Sequence, residues 1–162
     1  MTGINHDRPN LSYYSLFVDI VIYRYRTIAL IRILKLLKSM TQVSTAAIAR
    51  LRSTMAEHPE ALVALNVIED CEGDLEDAAM VLAIRYGLQP DQNNTDWLGA
   101  IARQCRGVVC QESMQHDLQQ GTYGSLAAYL ADSGLIPSIL VAPIILYILE
   151  IGVDNFCDFG NS

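Results

Sequence analysis

The chain has 162 residues, of which 51% are hydrophobic and 18% are charged, and its formal net charge is −7. This composition supplies enough apolar residues for the core of one globular domain and excludes global disorder. The excess of acidic residues disfavours nonspecific attraction to nucleic acid and to anionic lipid.

The charge is distributed unevenly along the chain. Residues 1–39 contain six basic and two acidic residues, a net charge of +4, whereas residues 40–162 contain five arginines and sixteen acidic residues, a net charge of −11. No lysine follows Lys38, and no basic residue except histidine follows Arg106. The sequence therefore predicts a basic extension, 1–39, joined to a single domain, 40–162.

Within the extension, residues 15–38 have the pattern of a basic amphipathic helix. Four of its five basic side chains fall on one side of the helix: Arg24, Arg32, Lys35 and Lys38. Three interpretations stay open. Either the native chain begins at Met40 and the extension comes from an upstream start codon, or the helix packs on the acidic domain, or it lies on an anionic membrane surface.

The domain is predicted to be all-α, a compact array of about six or seven short helices over roughly 43–155. Ser44 or Thr45 caps the first helix, and Pro59 begins the second, because proline is tolerated in a first helical turn. Asp74 caps the third helix, and Gly87 ends it.

Similar signals predict the helices that follow. Asn94 or Thr95 caps a helix over 96–106, which Gly107 stops, and another helix covers 108–120. A further short helix is expected to begin with Ser125 as its cap.

Residues 135–153 are the most apolar segment of the chain. Their uncharged part, 135–149, would form a helix of about 22 Å, which is shorter than a hydrocarbon layer of about 30 Å. Pro143 inside a continuous helix would cost about 3 kcal/mol. We therefore predict an apolar element that is interrupted by proline, begins a turn at Pro137, restarts at Pro143 and is buried in the core.

The densest group of ionisable residues lies between the second and third predicted helices. Its six carboxylates are Glu69, Asp70, Glu72, Asp74, Glu76 and Asp77. Counted from the second of them, glycine is fourth and valine twelfth, whereas a calcium-binding EF-hand loop needs glycine sixth and glutamate twelfth. The interpretation is a solvated corner between two helices, and no metal ligand is predicted there.

The sequence contains no recognised catalytic or cofactor-binding pattern, and the prediction is a non-enzyme without a cofactor. It has no G-x-S-x-G motif, no phosphate-binding loop and no dinucleotide fingerprint. The four cysteines lack the paired spacing of zinc ligands, and no convincing secretory signal precedes them. They are expected to be separate small hydrophobic side chains in a reducing, cytoplasmic compartment. The cysteines are Cys71, Cys105, Cys110 and Cys157.

Residues 61–84 resemble the first part of a Fis-type helix-turn-helix, and ubiquitin-associated domains share a similar pattern. The turn is Gly73-Asp74, and the packing signature is Ala78, Ala79, Leu82 and Ile84. The resemblance implies two packed helices and, for the Fis type, a DNA-binding regulator. The next residues, "RYGLQPDQNNTDW", lack the serine and lysine of a recognition helix. Through "IEDCEGDLEDAA" and "DWLGAIARQCR", the domain also resembles small helical proteins of cyanobacteria for which no activity is known.

The predicted function is that of a protein–protein interaction or regulatory module. Its partner is expected to be another protein, and self-association is left open. The alternatives are membrane association through 15–38 and a helix-turn-helix regulator of DNA. The acidic C-terminal segment either folds back with its phenylalanines in the core or stays exposed as a contact surface. The candidate interaction surface is Glu69, Asp70, Glu72, Asp74, Phe156 and Phe159.

Overall fold

The computed structural model describes residues 42–90 and 96–158. These residues form α-helices, one short 3₁₀ helix and one isolated β-bridge, so the all-α prediction is confirmed. The predicted extension, the cap at Asn94 or Thr95 and the candidate contact Phe159 lie outside the described residues.

Nine α-helices occur within the described ranges, close to the six or seven that were predicted. They are α1 (Thr45–Thr54), α2 (Pro59–Asp70), α3 (Leu75–Arg85), α4 (Trp97–Gln104), α5 (Arg106–Val109), α6 (Glu112–Gln120), α7 (Gly124–Ser133), α8 (Val141–Ile151) and α9 (Val153–Asp158). The 3₁₀ helix, Ser138–Leu140, leads directly into α8.

The first three helices begin where the sequence predicts. The Ser44 hydroxyl accepts a hydrogen bond from the Ala47 backbone N–H at 3.2 Å, and Pro59 is the first residue of α2. The Asp74 carboxylate accepts from the Asp77 N–H at 3.1 Å. The Ser44 and Asp74 side chains accept from backbone N–H groups that have no partner inside the helix. Pro59 has no N–H group that would need one.

The middle of the chain differs from the prediction. Gly107 does not stop a helix: α4 already ends at Gln104, and Gly107 lies inside α5. The predicted helix over 108–120 is divided between α5 and α6. Burial of Val108 and Val109 accounts for this difference, because packing of apolar side chains outweighs the weak helix propensity of one glycine.

The predicted cap of α7 is also wrong. That helix begins at Gly124, with Tyr123 in the N-cap position and no side-chain capping bond. The Ser125 hydroxyl instead donates a hydrogen bond to the Asp117 carboxylate at 2.7 Å. The Ser125 hydroxyl, which the local sequence pattern predicts as a cap, therefore makes a tertiary contact with α6 instead.

The apolar segment forms the centre of the fold, as predicted. Helix α8 packs against α1, α2, α3, α4, α7 and α9. Pro143 is its third residue, where a missing backbone N–H costs no helical hydrogen bond. The preceding 3₁₀ turn follows Pro137, so the interruption falls at Leu140, slightly earlier than expected. Seven residues of α8 are buried: Val141, Ala142, Pro143, Ile144, Ile145, Leu146 and Ile148.

Among the helices of the described residues, none is both long enough and apolar enough to cross a bilayer.

Candidate interaction site

The corner between α2 and α3 presents carboxylates to solvent. Glu69 and Asp70 end α2, and Glu72 lies in the turn that follows; all three are exposed, and the Glu69 side chain keeps 48% of its accessible surface. Asp77, in the first turn of α3, is exposed as well. We name the first three residues the acidic corner: Glu69, Asp70 and Glu72.

A short backbone strap holds the acidic corner in place. The Val43 N–H donates to the Gly73 carbonyl at 2.9 Å, and Gln42 forms an antiparallel bridge with Asp74. Gly73 has φ of +84°, and a Cβ added to it would collide with the Val43 carbonyl oxygen. Glycine is therefore required here for both its backbone conformation and its size. Glu72 also has a positive φ, +55°, so its backbone departs from the helical conformation of α2.

Arg52 joins α1 to the same corner from the other side. Its guanidinium donates to the Asn66 side-chain oxygen at 2.9 Å and to the Glu69 carboxylate at 2.8 Å. The Arg52–Glu69 ion pair is partly exposed, so its contribution to stability is modest. Its structural consequence is that the end of α2 is fixed against α1 while the Asp70 and Glu72 carboxylates stay exposed.

The structure divides the predicted interaction residues into two groups. Glu69, Asp70 and Glu72 lie together on the surface. Asp74 keeps only 5% of its surface because it caps α3, and Phe156 keeps only 2% because it packs in the core. Neither Asp74 nor Phe156 is available to a partner in this conformation. The interpretation in which the C-terminal segment folds back is confirmed for Phe156.

Cys71 is close to the acidic corner, and its thiol is not activated. Burial raises the pKa of Cys71, and the charges of Asp77, Asp70 and Asp74 raise it further. A thiol with a raised pKa is a weak nucleophile at neutral pH. Among the described residues, no three acidic, histidine or cysteine side chains are arranged to hold a metal ion.

A second polar cluster connects α3 to the beginning of α4. The Glu76 carboxylate accepts a hydrogen bond from the Leu98 backbone N–H at 3.3 Å, in the first turn of α4. Burial raises the pKa of Glu76 to about 7, against the opposing effect of that hydrogen bond, and nearby Asp96 contributes in the same direction as burial. Glu76 therefore changes its protonation state near neutral pH.

The same cluster extends to α8 through Asp96. The Asp96 carboxylate pairs with the Arg103 guanidinium at 2.8 Å and accepts a hydrogen bond from the Tyr147 hydroxyl. Burial, followed by the Asp96 charge, raises the pKa of Tyr147. Gly99 lies beneath this contact, where any side chain would collide with Asp96 and Tyr147.

A cleft of about 700 Å³ lies between α4 and the C-terminal helices α8 and α9. Arg106 forms part of its wall: the Nε group donates to the Phe156 carbonyl at 2.9 Å, and the guanidinium lies 5.2 Å from the centre of the Phe156 ring. This cation–π contact and hydrogen bond fix α9 against α5. The cleft is lined by Gly99, Arg103, Arg106, Tyr147, Glu150, Ile151, Asn155 and Phe156.

Cys110 and Cys157 form a disulfide, with their Cα atoms 5.6 Å apart. The expectation of four separate small hydrophobic side chains is therefore wrong for this pair, and it holds only for the two free cysteines, Cys71 and Cys105. Both residues of the disulfide are half-buried, whereas Cys105 is fully buried, and burial raises its pKa to about 11.

Sequence reasoning missed the disulfide, the cleft and the cluster around Glu76. The even number of cysteines permits a disulfide but cannot identify its partners, because they lie 47 residues apart and meet only through the fold. In the sequence, Arg106 is notable only as the last lysine or arginine of the chain. Its contact with Phe156 depends on tertiary structure in the same way.

The chain matches no protein-family model, and neither curated proteins nor solved structures include one with significant similarity to it. Its proposed function therefore depends on the geometry of the described residues.

Proposed function

We propose that the protein is a non-enzymatic interaction module that uses the acidic corner to bind a basic surface on a partner protein. The observation that carries this proposal is that Glu69, Asp70 and Glu72 are held together, exposed, at one end of two packed helices. Because the Gly73 strap and Arg52 fix the corner before binding, little conformational entropy is lost when a partner docks.

Charge supports the same proposal. Fifteen acidic residues and five arginines lie in the described ranges, and twelve of the fifteen acidic residues are exposed. Three of the arginines already make polar contacts within the domain, namely Arg52, Arg103 and Arg106. The surrounding negative potential would accelerate association with a basic partner, and salt would weaken it.

The same charges oppose the alternative of a DNA-binding helix-turn-helix at α2 and α3. DNA binding requires neutralisation of phosphates by lysine and arginine. The turn between these helices presents carboxylates, which would be repelled by phosphate. Membrane association through 15–38 concerns residues outside the described ranges and stays a separate hypothesis.

The test compares two triple variants of the full chain with equal charge loss. The first is Glu69→Gln, Asp70→Asn and Glu72→Gln; the control is Glu112→Gln, Asp132→Asn and Asp158→Asn, three exposed carboxylates on α6, α7 and α9. Proteins retained from a native lysate are quantified at low and high salt. We expect basic partners to be lost at least tenfold with the corner variant and kept with the control. Equal retention by both variants, or equal loss, would contradict the proposal.

A further inference from the structure

Helix α9 is attached to the domain as a separate small unit. It has six residues and follows Gly152, whose φ of +86° is readily accessible to glycine alone. Isolated helices of this length are not stable in water, so α9 depends on its contacts for its structure. Gly152 therefore ends α8 and separates it from α9.

Besides the disulfide, α9 is held by packing against α5, α6 and α8 and by a small number of hydrogen bonds, one of them from the Asn155 side chain to the Ile151 carbonyl at 2.9 Å. Val153 and Phe156 are buried, the Phe156 carbonyl accepts from Arg106, and the Asp154 carboxylate accepts from the Gln119 side chain at 3.2 Å. The central core around α8 is formed largely by other helices, α1 to α4 and α7. Loss of α9 would therefore open the cleft and uncover one phenylalanine, and would leave that core in place.

The four cysteines differ in their suitability for exchange. Cys110 and Cys157 are both half-buried, so neither residue is enclosed in the core. Cys105 is buried with a pKa of about 11, and burial and neighbouring acids raise the pKa of Cys71. Since thiolates are the attacking species in exchange, the two free thiols are poor competitors for the disulfide.

We propose that the Cys110–Cys157 disulfide is a reversible redox latch that holds α9 in its docked position, and that a dithiol reductant releases the helix. One thiolate of the dithiol attacks a sulfur of the pair, so that a mixed disulfide forms as the Cys110–Cys157 bond breaks. The second thiol of the reagent then displaces the protein sulfur. Two electrons pass to the protein, which takes up two protons as two thiols, while the dithiol becomes a disulfide. Exchange with an oxidised dithiol is the reverse reaction and closes the latch.

The released state has a defined structural consequence. Without the disulfide, α9 loses its covalent link to the end of α5, and the Arg106 contact with Phe156 opens with it. Asn155 and Phe156 leave the wall of the cleft, which becomes open to solvent on that side. This proposal is independent of the acidic corner and of the function proposed for it.

The experiment uses the full chain, oxidised or treated with dithiothreitol without denaturant. Alkylation followed by mass spectrometry identifies the reduced cysteines, and hydrogen exchange measures protection along the chain. We expect rapid reduction of Cys110 and Cys157 and exchange in 153–158 at the rate of an unfolded segment. Exchange in 144–148 should speed up with the lower global stability but stay at least tenfold slower than in 153–158. Oxidised dithiothreitol should restore the original protection.

Two double-cysteine variants separate the effect of the disulfide from that of the free thiols. Cys71→Ala with Cys105→Ala retains the latch and should respond to dithiothreitol like the unmodified chain. Cys110→Ser with Cys157→Ser should exchange rapidly in 153–158 and should not respond at all. Unchanged protection of α9 on reduction would overturn the latch, and so would loss of protection throughout α8, since the disulfide would then be required by the whole fold. Failure of the reagent to reduce the native protein would overturn it too.

Discussion

The two ends of the described domain are attached in contrasting ways. At the beginning, Gln42 and Val43 lie against the turn at Gly73 through one bridge and one backbone hydrogen bond. At the end, α9 is joined by a disulfide, with a cation–π contact and few other polar bonds beside it. The first attachment depends on the absence of a side chain, and the second depends on a covalent bond.

The difference shows where each attachment obtains its stability. The backbone strap stabilises the folded state directly, and a single methyl group added at Gly73 would block its hydrogen bond. A disulfide acts mainly by restricting the unfolded chain, and closing a loop of 47 residues corresponds to about 4 kcal/mol in the chain-entropy model. We therefore expect substitutions to affect the two ends differently.

The largest effect should come from Ile145→Lys, because both attachments require α8. Ile145 is fully buried in that helix, which contacts α1 and α9. A lysine there places an unpaired charge in the core and should cost about 4 kcal/mol or more in free energy of unfolding. Urea unfolding followed by circular dichroism measures the loss, and both ends should be lost together.

Glu150→Lys provides the matched control for that substitution. It introduces the same residue into the same helix at an exposed position. Its free energy of unfolding should stay within about 0.5 kcal/mol of the unmodified chain. If Ile145→Lys were equally well tolerated, α8 would not be the centre of the core.

The second prediction concerns the strap at the beginning of the domain. Gly73→Ala adds a Cβ that collides with the Val43 carbonyl and forces alanine into a left-handed conformation. Together these effects should lower the free energy of unfolding by about 2–3 kcal/mol. Denaturant unfolding gives the magnitude, and faster hydrogen exchange at Val43 should show that the strap has detached.

Gly87→Ala separates the two causes. Gly87 has a similar φ of +75°, but an added Cβ would have no neighbour within 4 Å. Its cost should therefore be about 1–2 kcal/mol from conformation alone. Equal losses for the two variants would show that the close approach of Val43 contributes nothing.

Local signals in the sequence were sufficient for much of the fold. The caps at Ser44 and Asp74 and the start at Pro59 were predicted correctly, because each uses a hydrogen bond or a fixed φ within a few residues. The central position of 135–149 followed from its apolar character alone. For the candidate site, the exposed carboxylates of the acidic corner were predicted as a solvated corner.

The parts that were missed depend on contacts between residues distant in sequence. Ser125 bonds Asp117 on another helix, and Gly107 remains helical because its neighbours are buried. Cys110 and Cys157 are 47 residues apart in the chain and are neighbours only through the tertiary structure. Local patterns contain no information about such pairs, so propensity gave the wrong result at Ser125 and Gly107, where tertiary contacts compete with it.

The third prediction concerns Glu76, which joins α3 to α4 between the two ends. Its pKa is raised from 4.5 to about 7, so the folded chain keeps a proton that the unfolded chain releases. Its contribution to stability is complete below pH 4.5 and is lost as the pH rises through about 7. With allowance for partial exposure, this loss should be about 1–2 kcal/mol.

Glu76→Gln tests this contribution, since glutamine keeps an oxygen for the Leu98 N–H and does not ionise. The variant should gain stability relative to the unmodified chain between pH 5 and pH 8, as measured by urea unfolding. Glu57→Gln, which removes one exposed carboxylate, should show a much smaller gain over the same range. A difference between Glu76→Gln and the unmodified chain that did not change with pH would contradict the prediction.

The smallest effect should come from Arg52→Lys, which weakens the second support of the acidic corner. Lysine cannot reproduce the planar fork that bonds Asn66 and Glu69 together. The partly exposed pair should be worth about 0.5 kcal/mol and should weaken further in high salt. Arg50→Lys, an exposed position on the same helix, is the control and should change nothing measurable. If the strap and Arg52 support one corner, combining Arg52→Lys with Gly73→Ala should give a loss that differs from the sum of the two, because the contacts hold the two sides of one short segment, 69–74. Simple additivity would mean that the corner is held at two independent points.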